Sequence, residues 1–191
     1  MAKYGRHTGI TARSVNGLLA NLGVAVSVAG LTAMVKSAID TGDALDEMSQ
    51  RVGVSVETLS VWKPAAEQSG VSGESFEKGL RKLSTTMLEA ATGSEDAARG
   101  FSAVGVEFKN QDGTLRATDQ VLLDLAERFK AMPDGAEKTA LAVQLFGKAG
   151  AELIPFLNQG RNGINELSAE MQALGVQMSG ETAAQAGEFN D

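Results

Sequence analysis

The chain has 191 residues, a formal net charge of −7 and no cysteine, so disulfides, thiolate metal sites and cysteine nucleophiles are excluded. An acidic chain is also unsuited to general nucleic-acid binding, because phosphate groups need a basic surface. Aromatic residues make up only 5% of the sequence and glycine occurs 22 times, which favours thin contacts between many short helices. We therefore predict a mainly α protein, with several short to medium helices in an elongated or loosely packed bundle.

The first part of the chain differs from the rest in charge. Residues 1–36 contain Lys3, Arg6, Arg13 and Lys36 but no acidic residue, so the remainder carries the whole negative excess. The same segment is rich in glycine and alanine. We treat it as a basic, apolar N-terminal helix region.

Residues 18–35 are almost entirely apolar, and three interpretations compete for them. A secretory signal has a basic start and an apolar run, but no convincing cleavage site follows here. A membrane span needs about 20 apolar residues, and this run is marginal. We favour a helix that packs closely on other helices, because small residues recur every four positions. The candidate self-association residues are Leu22, Ala25, Ala29 and Ala33.

After this region, apolar residues recur at helical spacing and divide the chain into three parts. Residues 37–54 are predicted to form a connecting helix that Gly53 stops, and residues 55–160 a compact helical unit. Residues 161–191 would begin a continuing helical region, because Ser179 starts a helix for which no stop signal follows. We therefore expect the chain to be the front piece of a longer protein.

Serine residues mark the starts of the first three helices of the compact unit. These helices are predicted to run from Ser55 to Gln68, from Ser72 to Ala91 and from Ser94 to Val104. Pro64 should kink or end the first of them. Farther along, Thr118 is predicted to cap a helix, and Asp134 with Glu137 matches a capping box.

Residues 106–116 interrupt the helical pattern. Residues 106–109 alternate between apolar and polar, and residues 110–113 have the composition of a turn. We therefore predict one small β-hairpin near residues 106–116. The turn is not a calcium loop, because Phe108 stands where the acidic ladder of an EF-hand would begin.

No set of residues makes a convincing catalytic or metal site. His7, the only histidine, lies in the basic end, whereas catalytic histidines need a rigid scaffold and zinc sites usually need several ligands. Asp40, Asp43 and Glu47 share a helix face but have no apolar pocket to separate their pKa values, so a solvated acidic face is the better interpretation. Trp62 is predicted to be a core residue. No glycine-rich phosphate loop occurs, and we predict no enzymatic activity and no cofactor.

Three ordered stretches carry a family resemblance. The first is SAID at 37–40 with DEMSQRVGVSVE at 46–57, the second is AAEQSGVS at 65–72 with LRKL at 80–83, and the third is DGTLR at 112–116, DGAEKTA at 134–140, LFG at 145–147 and LIPFLNQG at 153–160. In this order and spacing they resemble the N-terminal part of phage tail tape measure proteins. The resemblance spans roughly residues 37–191, and none of the stretches is a catalytic signature.

The resemblance implies a structural and assembly role. Several copies of such a protein run through the growing tail tube, bind the tail tip and tail assembly chaperones, and set the tube length. It also implies a homo-oligomer made in the host cytoplasm and located in the virion, in the lumen of the tail tube, with host membrane contact through residues 18–35. Two features depart from the family: the Lys63-Pro64 pair, and the lack of a long repetitive middle or a peptidoglycan-cleaving domain.

Two other classes of function remain open from the sequence. One is a membrane-active or secreted helical protein that uses the apolar segment 18–35. The other is a fragment of an enzyme whose catalytic domain follows residue 191.

Overall fold

The computed structural model describes residues 41–181. The basic N-terminal region and residues 182–191 lie outside this range. So do the predicted self-association residues Leu22, Ala25, Ala29 and Ala33, as well as His7 and Asp40.

The described residues are mainly helical, as predicted. The helices are α1 (residues 41–52), α2 (Val56–Gln68), α3 (Gly73–Ala91), α4 (Glu95–Val104), α5 (Thr118–Ala131), α6 (Ala136–Phe146), α7 (Gly150–Leu157) and α8 (Gly160–Ala173). A 3₁₀ turn at Gly147–Ala149 joins α6 to α7, and a further helix begins at residue 180.

The predicted serine caps are confirmed. The hydroxyl oxygens of Ser55, Ser72 and Ser94 each accept a hydrogen bond from the backbone N–H three residues later, at 3.2, 3.1 and 3.3 Å. These bonds satisfy backbone donors that a helix start leaves without an intrahelical partner. Gly53 ends α1 with a φ of +66°, a conformation that glycine adopts at little cost.

Two predictions about helix ends need correction. Thr118 does not cap α5: the helix begins at Thr118 itself, and Ala117 occupies the cap position without a side-chain bond. The capping box of Asp134 and Glu137 is also wrong, because no side-chain cap bond is present at the start of α6. The Asp134 carboxylate instead accepts a hydrogen bond from the Lys138 ammonium at 2.8 Å, a charge-assisted contact stronger than a backbone cap.

Pro64 does not divide α2, which continues from Val56 to Gln68 with the proline inside it. Proline removes one backbone donor from the ladder of helical hydrogen bonds, and its ring crowds the carbonyl of the preceding turn. The buried face of α2 includes Leu59, Trp62 and Ala65, so tertiary packing outweighs the local preference for a break.

The predicted β-hairpin near residues 106–116 is wrong as a pair of strands. No strand occurs in the range 41–181, and the segment contains only an isolated antiparallel bridge between Lys109 and Leu115. Two backbone bonds flank it, from Asn110 N to Thr114 O at 2.8 Å and from Arg116 N to Phe108 O at 3.0 Å. The segment is therefore a closed turn between α4 and α5.

A single continuous hydrophobic core joins the helices. Phe76 on α3 packs edge to face on Phe156 of α7 at 5.4 Å between ring centroids, and Phe129 on α5 packs on Phe146 of α6 at 6.2 Å. The core runs from Leu45 on α1 to Met171 on α8, and so extends beyond both ends of the predicted unit 55–160. The described part is therefore packed more closely than the loose bundle that composition predicts.

Glycine allows the helices to approach closely. A Cβ added at Gly79 of α3 would lie 2.2 Å from Cδ1 of Leu153 on α7. A Cβ at Gly150, the first residue of α7, would lie 2.0 Å from the carbonyl oxygen of Ala142 on α6. In one continuous helix, Ala142 and Gly150 would lie about 12 Å apart along the axis, because they are eight residues apart. Their close contact therefore shows that α7 folds back on α6.

This fold-back bears on membrane insertion. Taken as one segment, Ala136–Leu157 has the length and apolar composition of a possible membrane span, and 44% of its most apolar 18-residue window is buried inside the protein. The segment forms two helices that pack on each other, with Leu145, Phe146, Phe156 and Leu157 in the core. Its apolar character is thus accounted for by the hydrophobic core.

Candidate functional site

A groove lies between α2, α5 and α8. Its volume is about 320 Å³, and Glu57 and Asp119 are its charged lining residues, with no basic residue among them. Trp62, which is 4% exposed, forms part of its wall. The other lining residues are Thr58, Val61, Leu123, Asn165, Ser168, Ala169, Gln172 and Gln177. The groove could accept a polar or cationic ligand, but it contains no paired acid and base.

The segment after α8 runs back along α2 and contributes Gln177 to the groove. The backbone N–H of Met178 donates to Oγ of Ser60 at 3.0 Å, and that of Gly180 donates to Oε1 of Glu57 at 2.7 Å. The bond from Gly180 is the main reason that the pKa of the Glu57 carboxyl lies below its ordinary value. The groove is therefore bordered by residues that are more than a hundred positions apart.

A second cavity, of about 330 Å³, contains a network of charges centred on Asp124 of α5. Asp124 accepts from Nη2 of Arg116 at 2.7 Å with one carboxylate oxygen and from Arg161 with the other. The adjacent Glu127 accepts from the backbone N–H of Arg161 at 3.2 Å. The lining also includes Gly105, Val106, Glu107 and Arg128. The hydrogen bonds of this network attach α8 and the turn to α5. Because the lining contains three arginines and three acidic residues, it has no net charge to attract an anion.

Lys138 on α6 is the most deeply buried charged side chain among the described residues, at 2% exposure. Its ammonium donates to the carbonyl of Met132 at 3.0 Å and to Oδ1 of Asp134 at 2.8 Å. Asp134 itself is 77% exposed, and the hydrogen bond from Lys138 is the main reason that its pKa is lowered. The contact holds the connection between α5 and α6 in place.

Of the predicted acidic face, Asp43 and Glu47 lie on α1, and Asp40 lies outside the described residues. Glu47 pairs with Arg51 one helical turn later, at the surface of α1. Trp62 is buried, as predicted. Asp112 accepts from the backbone N–H and the hydroxyl of Thr114, at 3.0 and 2.6 Å, which lowers its pKa and stabilises the turn. No group of three potential metal ligands occurs within the part of the chain that the structure describes.

Sequence reasoning missed the buried lysine and the contact of Glu57 and Ser60 with the segment after α8. The four-residue spacing of Asp134 and Lys138 was a visible signal for an ion pair, but nothing in it indicated burial. The contacts of Glu57 and Ser60 join residues 123 and 118 positions apart, and no local pattern encodes such a pairing.

Comparison with known proteins finds no matching family model, no significantly similar curated protein and no significantly similar solved structure.

Proposed function

We propose that the chain is the N-terminal part of a phage tail tape measure protein, with a structural and assembly role. The observation that carries the proposal is the order and spacing of the three sequence stretches between residues 37 and 160. Its partners would be further copies of itself, the tail tube, the tail tip and tail assembly chaperones. It would be made in the host cytoplasm and located in the tail tube lumen.

The positions of the resembling residues support this proposal. Ser55 and Ser72 cap helices, Gly113 adopts a φ of +85° in the turn, and Phe146 and Phe156 lie in the core. These residues specify a fold and not a reaction, which is what a shared assembly module requires.

The helix lengths suggest which part of the ruler this would be. The longest described helix with known bounds, α3, has 19 residues and so spans about 28 Å. A single helix over residues 41–181 would span about 210 Å. Because the helices fold back around one core, we infer that this region is an end module that binds partners, and that any length measurement belongs to other parts of the protein.

Copurification tests the proposal directly. The chain should be recovered with purified tail tubes from cells that produce the phage or prophage, and its peptides should be detected there by mass spectrometry. The alternative, a membrane-active or secreted protein that uses residues 18–35, predicts recovery with membranes instead. Recovery from the membrane fraction together with absence from tails would reject the proposal.

A deletion experiment tests the end-module assignment. Removing residues 55–160 in frame should abolish or deregulate tail assembly, because most of the described core would be lost. A matched deletion of 106 residues of continuous helix elsewhere in the protein should instead shorten tails by about 160 Å. If loss of residues 55–160 gave tails of normal form that were only shorter, this region would be part of the length-measuring segment and not an end module.

A further inference from the structure

The segment that follows α8 is attached to α2 by a few contacts. Two of its polar contacts are made by the backbone donors of Met178 and Gly180, which bind Ser60 and Glu57 as described above. Ser60 is buried, and its hydroxyl also donates to the carbonyl of Glu57 at 2.9 Å, so both acceptors are fixed by one turn of α2. The segment thus lies against a rigid surface.

Much of the apolar surface of this segment is exposed. Met178 is half-buried and packs against the core, whereas Leu174 and Val176 are 69% and 42% exposed. Segments with few buried apolar contacts open locally at low free-energy cost while the remainder of the fold stays intact. The hydrogen bonds to Ser60 and Glu57 and the packing of Met178 therefore contribute directly to its position.

Opening would change the groove between α2, α5 and α8. Gln177 of the segment and Trp62 of α2 line the same groove, and Glu57, one of the two anchors, lines it as well. We propose that residues 176–181 form a strap, latched by Glu57 and Ser60, that closes one side of this groove. Release of the latch opens the groove beside Trp62.

Hydrogen exchange on the full 191-residue chain tests the latch. Glu57→Ala should speed exchange of the Gly180 amide, and Ser60→Ala that of the Met178 amide, each by about tenfold, because each removes the acceptor of one bond. Glu67→Ala is the matched control, since Glu67 is an exposed glutamate near the other end of the same helix. Glu67→Ala should leave the exchange rates of both amides unchanged. None of the three substitutions should change the exchange rates of amides in α5.

Fluorescence gives an independent readout, because Trp62 is the only tryptophan in the chain. Glu57→Ala should increase quenching by acrylamide and shift the emission to longer wavelength, with helix content unchanged by circular dichroism. The control Glu67→Ala should match the wild type.

Three results would overturn the proposal: wild-type exchange of the Met178 and Gly180 amides at the rate of an unstructured peptide, variant rates equal to the wild type, or unchanged quenching in Glu57→Ala. All of these measurements are made on the isolated protein. The outcome for the strap therefore does not depend on any role of the protein in phage tails.

Discussion

The close contact of α6 and α7 makes Gly150 the most sensitive glycine in the described fold. A Cβ at this position would lie 2.0 Å from the carbonyl oxygen and 2.4 Å from the carbonyl carbon of Ala142, and 2.9 Å from the backbone nitrogen of Val143. The backbone of Gly150 has ordinary helical angles, with a φ of −56° and a ψ of −42°. Alanine would thus suffer no conformational strain, and any loss of stability must come from the steric contact alone.

The size of the effect follows from what must move. Ordinary van der Waals contact begins near 3.4 Å, so α7 must separate from α6 by more than 1 Å, and a backbone carbonyl cannot rotate away as a side chain can. Overpacking of this kind costs about 1–3 kcal/mol and occasionally more. We expect Gly150→Ala to destabilise the protein by about 3 kcal/mol, which lowers Tm by about 6–12 °C for a chain of this length.

Two other glycines provide a graded comparison. A Cβ at Gly73 would meet only the mobile ends of Glu67 and Lys63, so Gly73→Ala should change stability by less than about 0.5 kcal/mol. A Cβ at Gly79 would meet the buried side chain of Leu153, which can shift in part, so Gly79→Ala should fall between the two.

Thermal and urea unfolding followed by circular dichroism would rank the three variants. The reasoning is refuted if Gly150→Ala unfolds within 1 °C of Gly73→Ala.

Two further predictions concern the charged groups. Lys138→Met should cost no more than about 1 kcal/mol in urea unfolding, because methionine fills the same buried space and the Asp134 carboxylate, which also loses its bond, is exposed to water. Asp134→Ala should destabilise more, since it leaves a buried ammonium with one of its two partners. The opposite ranking would contradict this. Asp134 and Glu57 have pKa values below their ordinary 3.8 and 4.5, so their stabilisation is present above those values and is lost as the pH falls through the lower folded-state values. Stability of Asp134→Asn should therefore fall less between pH 6 and pH 3 than that of the wild type, and an equal fall would count against the assignment.

The sequence predicts the helices of this fold well because their limits are set locally. Ser55, Ser72 and Ser94 each lie three residues from the donor that they satisfy, and Gly53 needs only its own backbone freedom. Predictions failed where two local rules competed. Asp134 matches a capping box and also has a lysine four residues later, and the charged partner prevailed.

The features that define the candidate site depend instead on tertiary contact. Gly150 looks like any other helix-boundary glycine until α7 is placed on α6. Lys138 looks exposed until the connection between α5 and α6 closes over it. The strap depends on residues of α2 and on the segment after α8, which meet only after most of the chain has folded.

The contact between α2 and α8 also dictates when the fold can be completed. These helices pack together although about a hundred residues separate them, so the loop that they close is nearly the whole described chain. Contacts of such long range form late, and during synthesis from the N-terminus α2 must wait for α8. Until α8 packs on α2, the core is not fully buried. This concerns Leu59 and Val61 of α2 and Ile164 of α8, which are buried in the complete fold. Cooperative stability therefore appears only after the last helix of the core has emerged from the ribosome.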